Sequence, residues 1–364
     1  MTRFIQLHAL TVYAPSNLNR DDTGRPKTAK FGGAERLRIS SQALKRAIRT
    51  SEAFKTRVQG QRGDRTQRLG EDIRAYLVDK GLMADKAAEG ARAIAAIFGK
   101  LKDPKDKNPT YIEQLAFVSP EERKAALALA DKLAAGETLP SDTKDLVPDV
   151  LRRTDTATDI AMFGRMLADN PDFNREAAVQ VAHAITTHRV EVEDDFYTAV
   201  DDLKRPSEDA GAGFIGELGF GSGVFYIYAC VDRALLEKNL GGDKGLATTA
   251  IAALIEGLAT SSPTGKQASF ASRARASYLR IEKGIQQPRS LAAAFFKPVR
   301  AEGLSDDLLH TSIARIEDPK NGLAAQMNAA YGPCFDGDAY VMRFIAGETG
   351  NAGSLAEAIA FASE

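Results

Sequence analysis

The stretch FGGAERLRISSQALKRAIR, residues 31–49, runs from a glycine pair through closely spaced arginines into a helix with cations along one side. Ser40 or Ser41 stands where a side-chain oxygen caps the first turn. At 100° per residue, Leu44, Ala47, Ile48 and Ser51 share one face, and Gln42, Lys45, Arg46 and Arg49 share the other. The expectation is a helix packed on one side that presents a polar, basic stripe on the other.

That stripe belongs to a larger asymmetry. The 364-residue chain has a net charge of −1, yet residues 1–60 carry twelve Lys and Arg against four Asp and Glu. A basic field confined to one end of a near-neutral protein points to an anionic partner such as nucleic acid. The composition, 44% hydrophobic and 27% charged, is that of a globular protein. No apolar run is long enough for a bilayer and the first residues lack signal-peptide order, so a cytoplasmic protein without membrane contact is expected. Cys230 and Cys334 are far apart and outside any CxxC spacing, which suggests neither a disulfide framework nor a zinc cluster.

Upstream of the helix, RFIQLHALTVYA (3–14) alternates and then turns apolar, as a central strand does. PSNLNRDDTGRPKTAKFGG (15–33) is polar, long and rich in turn formers, and reads as a binding loop. Arg20, Lys27, Lys30, Arg36 and Arg38 adjoin the helix, so their charges are expected to cluster on one side of a sheet.

Downstream, residues 65–180 read as short helices, an Ala-rich insertion between strands. AVQVAHAITTHRVEV (178–192) and GVFYIYACVD (223–232) return to strand character. Between them, EDDFYTAVDDLKRPSEDAGAGFIGELGFGS (193–222) has aromatic flanks and a Pro-, Gly- and acid-rich middle, the pattern of a projecting hairpin. A helix at LATTAIAALIEGLA (246–259) and a strand within SRARASYLRIEKG (272–284) complete a βαββαβ order with two large additions.

Few residues suggest reaction chemistry. His183 and His188 are five apart, a spacing that brings them together on neither a strand nor a helix, and His8 and His310 lack ligand-spaced neighbours. SSPTGKQ around Lys266 resembles a phosphate loop only loosely and reads as an ordinary loop. The pairs Asp21–Asp22, Asp194–Asp195 and Asp201–Asp202 read as solvated or arginine-paired acids; only the first sits in the basic region. The glycines of GFGSGVFY read as a bulge at the hairpin base.

SNLNRDDTGRPKTAKFGGAERLRISSQALKRAIR (16–49), GRM (164–166), AHAITTHRVEVEDDFYTAVDDL (182–203) and GSGVFYIYA (221–229) together resemble the CasC-type backbone subunit of the type I-E CRISPR Cascade complex. The resemblance implies an α+β fold shaped like a hand. Its RRM-like (ferredoxin-like) palm would be 1–60, 181–191 and 223–364, its inserted helical finger domain 61–180, and its β-hairpin thumb 192–222. It also implies a non-enzymatic scaffold without cofactor or metal, whose copies stack along the crRNA and present it to a target DNA strand. Other copies of the chain, a 5′-handle cap subunit, a guide-processing endonuclease, a large PAM-reading subunit and small subunits would be its partners. Carried onto this chain, Arg20, Lys27, Gln42, Lys45, Arg46 and Arg49 would hold the RNA backbone. Met166 would wedge between bases, and Tyr197, Thr198 and Ile215 would pack against a displaced nucleotide. Phosphate contacts without base readout suit a filament that accepts any guide. Two alternatives stay open: a type III-like backbone subunit that cleaves RNA through an Asp in the loop before the helix, where Asp21 and Asp22 lie, and a free-standing RRM-like single-strand RNA-binding protein.

Overall fold

A computed structural model describes residues 3–140, 142–199, 214–300, 307–332, 339–345 and 351–364, with the side chains of 214 and 215 also outside the description. The chain divides into two units. One comprises Met1–Phe54, Val181–Cys230 and Leu254–Glu364; the other comprises Lys55–Gln180 and Val231–Ala253. The second thus takes in 231–253, a stretch that the sequence alone gives no reason to separate from the palm. Among the described residues no helix is long and apolar enough to cross a membrane.

The first unit is built on a sheet. Its strands are β1 (Phe4–Ser16), β2 (Thr28–Phe31), β3 (Ala34–Ile39), β4 (Ala184–Thr186), β5 (Glu193–Ala199), β6 (Phe214–Asp232), β7 (Ala276–Gly284) and β8 (Ala339–Arg343). They lie in the order β8-β7-β1-β6-β4-β3-β2, and β5 pairs with β6 off that path. β1 is buried continuously from Ile5 to Leu10 because it is central, flanked by β7 and β6. Leu10, Val224, Tyr226 and Tyr278 form a core with Leu291, Phe295, Val299, Leu309, Ile313 and Ile316.

The segment 15–33, expected to be a loop throughout, ends in a strand. β2 and β3 form an antiparallel hairpin that pairs Thr28 with Leu37 and Phe31 with Ala34. Gly32 and Gly33 have φ of +60° and +76°, the two left-handed positions of a tight two-residue hairpin loop. Polarity hid this hairpin in the sequence, since β2 is only half-buried. Likewise, 178–192 is broken into Val179–Val181 and β4 rather than forming one strand.

Several buried polar side chains on the central strands pair with one another, although His8 Nε2 and Thr11 Oγ1 are buried without a hydrogen-bond partner. Gln6 and His8 lie opposite Glu282 and Arg280 in the antiparallel β1–β7 register. Glu282 accepts from Arg280 Nε (2.7 Å) and Arg289 Nη2 (3.1 Å), and Arg280 Nη1 donates to Glu317 at 2.9 Å. His8 Nδ1 lies 2.9 Å from the Tyr226 hydroxyl, and Tyr228 Oη donates to Gln6 Oε1 at 2.7 Å. Burial lowers the His8 pKa despite the neighbouring Glu282 carboxylate. Burial alone would raise the Glu282 carboxyl, but hydrogen bonds and charge from His8, Arg289 and Arg280 hold it well below the usual carboxylate range.

The second unit is helical, with Leu69–Asp79, Ala84–Ala95, Pro120–Ala134, Thr143–Val150, Thr158–Phe163 and Arg233–Asn239. It also holds a short antiparallel pair, Asp64–Thr66 with Ala116–Val118. Leu69, Ile73, Leu77, Ile94, Ile97, Leu129 and Val150 fill its core. Ser119 and Glu122 form a capping box at the start of Pro120–Ala134, which satisfies two donors that the first helical turn would leave unpaired.

Candidate nucleic-acid interface

Helix α1 (Ser41–Thr50) begins at Ser40, whose hydroxyl accepts from the Ala43 amide at 3.3 Å. The Ser40 amide donates to Asn19 Oδ1 at 2.8 Å, so the same residue ties the basic loop to the helix start. Leu44, Ala47 and Ile48 are buried. A Cβ on Gly257 would come within 2.9 Å of Ile48, so helix Lys244–Thr260 packs closely on that face. With one face committed, the other is left outward: Gln42 and Arg46 are exposed, Lys45 and Arg49 half-buried. Partial burial lowers the Lys45 pKa, a cost that an anion beside the ammonium would offset.

The loop before α1 adds Arg20, exposed, and Lys27, half-buried. It is built rather than loose. Arg20 bridges Pro26, the Lys27 amide donates to Asn19 O at 2.8 Å, and the Arg38 amide donates to Lys27 O at 2.8 Å. Asp21 Oδ1 accepts from the Thr23 hydroxyl, the Thr23 amide and the Arg25 amide at 2.8–3.0 Å. Those bonds, the Thr23 hydroxyl foremost, lower its pKa. This Asx turn commits one carboxylate oxygen to holding the loop; Asp22 is exposed.

Two arginines expected in the surface cluster are occupied. Arg36 is 0% exposed, with Nη1 donating to Thr186 O at 2.8 Å and Nη2 to Phe295 O at 2.9 Å. It is an internal tie between β3, β4 and the 292–295 turn. Arg38 is half-buried, with Nη1 2.8 Å from His183 Nδ1. Arginine spacing alone carried no sign of this division.

The hairpin rises from the same unit. β5 pairs antiparallel with β6 from Glu193–Phe220 to Ala199–Phe214, which places Thr198 opposite Ile215. Every residue of β5 is exposed. Tyr197 is 47% exposed, and its ring covers Gly216, where a Cβ would lie 2.5 Å from the ring. Residues 200–213, including Asp201 and Asp202, and the Ile215 side chain lie outside the described residues. At the base, Arg25 Nη1 lies 2.8 Å from Asp194 and 3.7 Å from Glu217, joining the loop to both hairpin strands. The glycines here admit close neighbours: a Cβ on Gly221 would meet Leu37 at 2.8 Å, and one on Gly223 would meet His188 Nε2 at 2.7 Å.

Met166 belongs to the second unit. Gly164 ends helix Thr158–Phe163 at φ +78°, with no room to spare against Arg175 O at 3.0 Å from a Cβ. Arg165 turns inward to a fully buried ion pair with Glu122 at 2.5 Å and bridges Arg175 in the backbone. Met166, next along an extended chain, therefore points outward and is 77% exposed. That exposure leaves the thioether outside the core of the unit.

Among the described residues no group of three His, Cys, Asp or Glu could hold a metal ion. His188 Nδ1 lies 2.9 Å from its neighbour's carbonyl, and its burial lowers the ring pKa. Cys230 is buried, and Cys334 lies outside the described residues.

The family model for CT1975-like protein matches residues 5–356, and the chain belongs to that family. Among solved structures, a chain of a "CRISPR RNA-guided surveillance complex, pre-nicking" is similar at 28% identity and a TM-score of 0.83, over 99% of this chain and 100% of that one. A chain of a "CRISPR RNA-guided surveillance complex" shares the fold at 24% identity and a TM-score of 0.74, over 98% of this chain and 99% of that one. No curated protein matches the sequence.

Proposed function

We propose that this chain is a crRNA-binding backbone subunit of a type I-E Cascade surveillance complex. Copies polymerise along the guide and present it for pairing with a target DNA strand. The observation that supports the reading is that helix α1, capped at Ser40 and tied to the loop before it, leaves Arg46 exposed and Lys45 and Arg49 half-buried, while that loop, tied to the hairpin base through Arg25, carries Arg20 and Lys27. Such a surface grips phosphates at fixed positions without reading bases. The likeness to chains of RNA-guided surveillance complexes over the whole length supports the same reading.

The strand order β7-β1-β6-β4 supports an RRM-like palm, since it places the four strands of a βαββαβ unit in the order 4-1-3-2. Paired β5 and β6 support a thumb that crosses a neighbour's RNA, and the exposed thioether of Met166 suits a wedge between unstacked bases. The protein acts as a scaffold, and cutting falls to its partners. The Asp21 carboxylate supports this by serving the turn.

Electron microscopy of the protein assembled on single-stranded RNAs of two lengths tests the proposal. Particles should lengthen in proportion to the RNA, with regularly spaced subunits. Isolated globular particles at both lengths would favour a free-standing single-strand-binding protein instead.

A further inference from the structure

A cleft of about 480 Å³ opens at the base of the hairpin, between Arg20, Thr23–Arg25, Tyr197, Glu217–Gly219 and Lys266. Its charges are unequal in availability. Arg25 is engaged by Asp194 and Glu217, and in turn offsets Glu217, the one carboxylate in the lining. Arg20 and Lys266 are exposed, and neither cationic head has a hydrogen-bond or ion-pair partner among the described residues.

Lys266 is also held in an unusual way. Its backbone is left-handed (φ +49°, ψ +29°), a conformation that costs a lysine energy unless its surroundings impose it. They do so here. A Cβ on Gly265 would lie 2.3 Å from Leu18 O, so the turn is pressed onto the start of the basic loop. Gln267 Nε2 donates to Pro263 O and Ser272 O at 3.1 and 3.0 Å, and Phe270 packs on Phe220 with ring centroids 5.9 Å apart. The strained turn thus fixes the backbone of Lys266 at a cleft that is also lined by Arg20 and Tyr197.

The geometry points to a phosphate-binding function for Lys266: with Arg20 it grips the backbone of single-stranded RNA where the strand meets the hairpin, while Tyr197 supplies a stacking face for the adjacent base. This rests on the RNA-binding reading above and adds a residue outside the helix stripe. Two cations on one strand suit a phosphodiester, and an aromatic face accepts any base.

The test is the affinity for a fluorescent single-stranded RNA, followed against salt, for the wild type, Lys266→Asn, Lys266→Arg, Tyr197→Ala and the pair Lys45→Ala/Arg49→Ala. Asparagine removes the charge yet tolerates left-handed backbone, and unchanged thermal unfolding verifies the fold. Each lost phosphate contact should reduce the slope of log affinity against log salt by about 0.7. Lys266→Asn should therefore flatten it by that amount, and its relative deficit should shrink about 2- to 3-fold between 50 and 200 mM salt. Lys266→Arg should keep the slope, and Tyr197→Ala should weaken binding without changing it. Inorganic phosphate should compete only at concentrations where it also acts as a salt; a saturable effect of free phosphate that Lys266→Asn abolishes, with RNA affinity unchanged, would make this a small-anion site and overturn the proposal. An unchanged slope in Lys266→Asn alongside a reduced one in the helix pair overturns the Lys266 inference and leaves the RNA-binding reading standing. Unchanged slopes in both overturn both.

Discussion

Two regions of the sheet-based unit are rich in arginine and lysine and put them to opposite uses. Around β1 and β7, the buried Arg289 and the half-buried Arg280 pair with Glu282, Arg280 also with Glu317, and bind the protein to itself. Along α1 and the loop before it, Arg20, Lys27 and Arg46 carry no such partners among the described residues, and Lys45 and Arg49 lie half-buried beside them. The difference is one of compensation: a buried cation needs its carboxylate, whereas a surface cation in high dielectric is retained cheaply and stays available to an external anion. Substitutions should therefore separate into those that unfold the protein and those that release RNA.

The largest effect is expected at Glu282. Glu282→Gln removes a buried charge held between the buried Arg289 and the half-buried Arg280, and breaking a buried pair in this way costs about 3–5 kcal/mol. Urea unfolding should show it, while the protein that remains folded keeps the wild-type salt dependence of RNA binding. Loss of that salt dependence with full stability would reverse the roles assigned to the two regions.

Arg36 comes next and tests the boundary, since it lies in the basic stretch but serves the interior. Arg36→Ala leaves Thr186 O and Phe295 O without their donor and should cost about 1–3 kcal/mol in chemical unfolding. The RNA salt slope should not move.

A smaller effect concerns pH. The folded state depresses the His8 pKa, so the unfolded chain takes up a proton near pH 6.5 that the folded chain refuses. Stability from this group is intact above pH 6.5 and falls as pH drops below it, by at most about 1.4 kcal/mol at pH 5.5. Glu282 contributes with the same sign only where the unfolded carboxyl protonates, below about pH 4.5. Urea midpoints at pH 7.5 and 5.5 should differ more in the wild type than in His8→Gln.

Legibility in the sequence followed the same division. The α1 cap and its two faces could be read because a 3.6-residue period and a serine cap are local signals. The β5–β6 hairpin was legible from its aromatic flanks and Gly-rich centre. The inward turn of Arg36 was not, because it depends on the partner strand β4 and on Phe295, more than 250 residues away. Met166 could be named by resemblance only; its exposure follows from Gly164 and the Arg165–Glu122 pair, which no window around GRM contains. Lys266 carries no phosphate-loop pattern in the sequence, since its place beside Arg20 arises from Gly265 packing on Leu18.

The most direct test of the claim that the α1 stripe holds RNA is the salt dependence of RNA affinity in the Lys45→Ala/Arg49→Ala double variant. Two lost phosphate contacts should lower the slope of log affinity against log salt by about 1.4, equally for guides of unrelated sequence, with stability unchanged. A double variant that binds with the wild-type slope would contradict the account and leave the stripe as solvated surface.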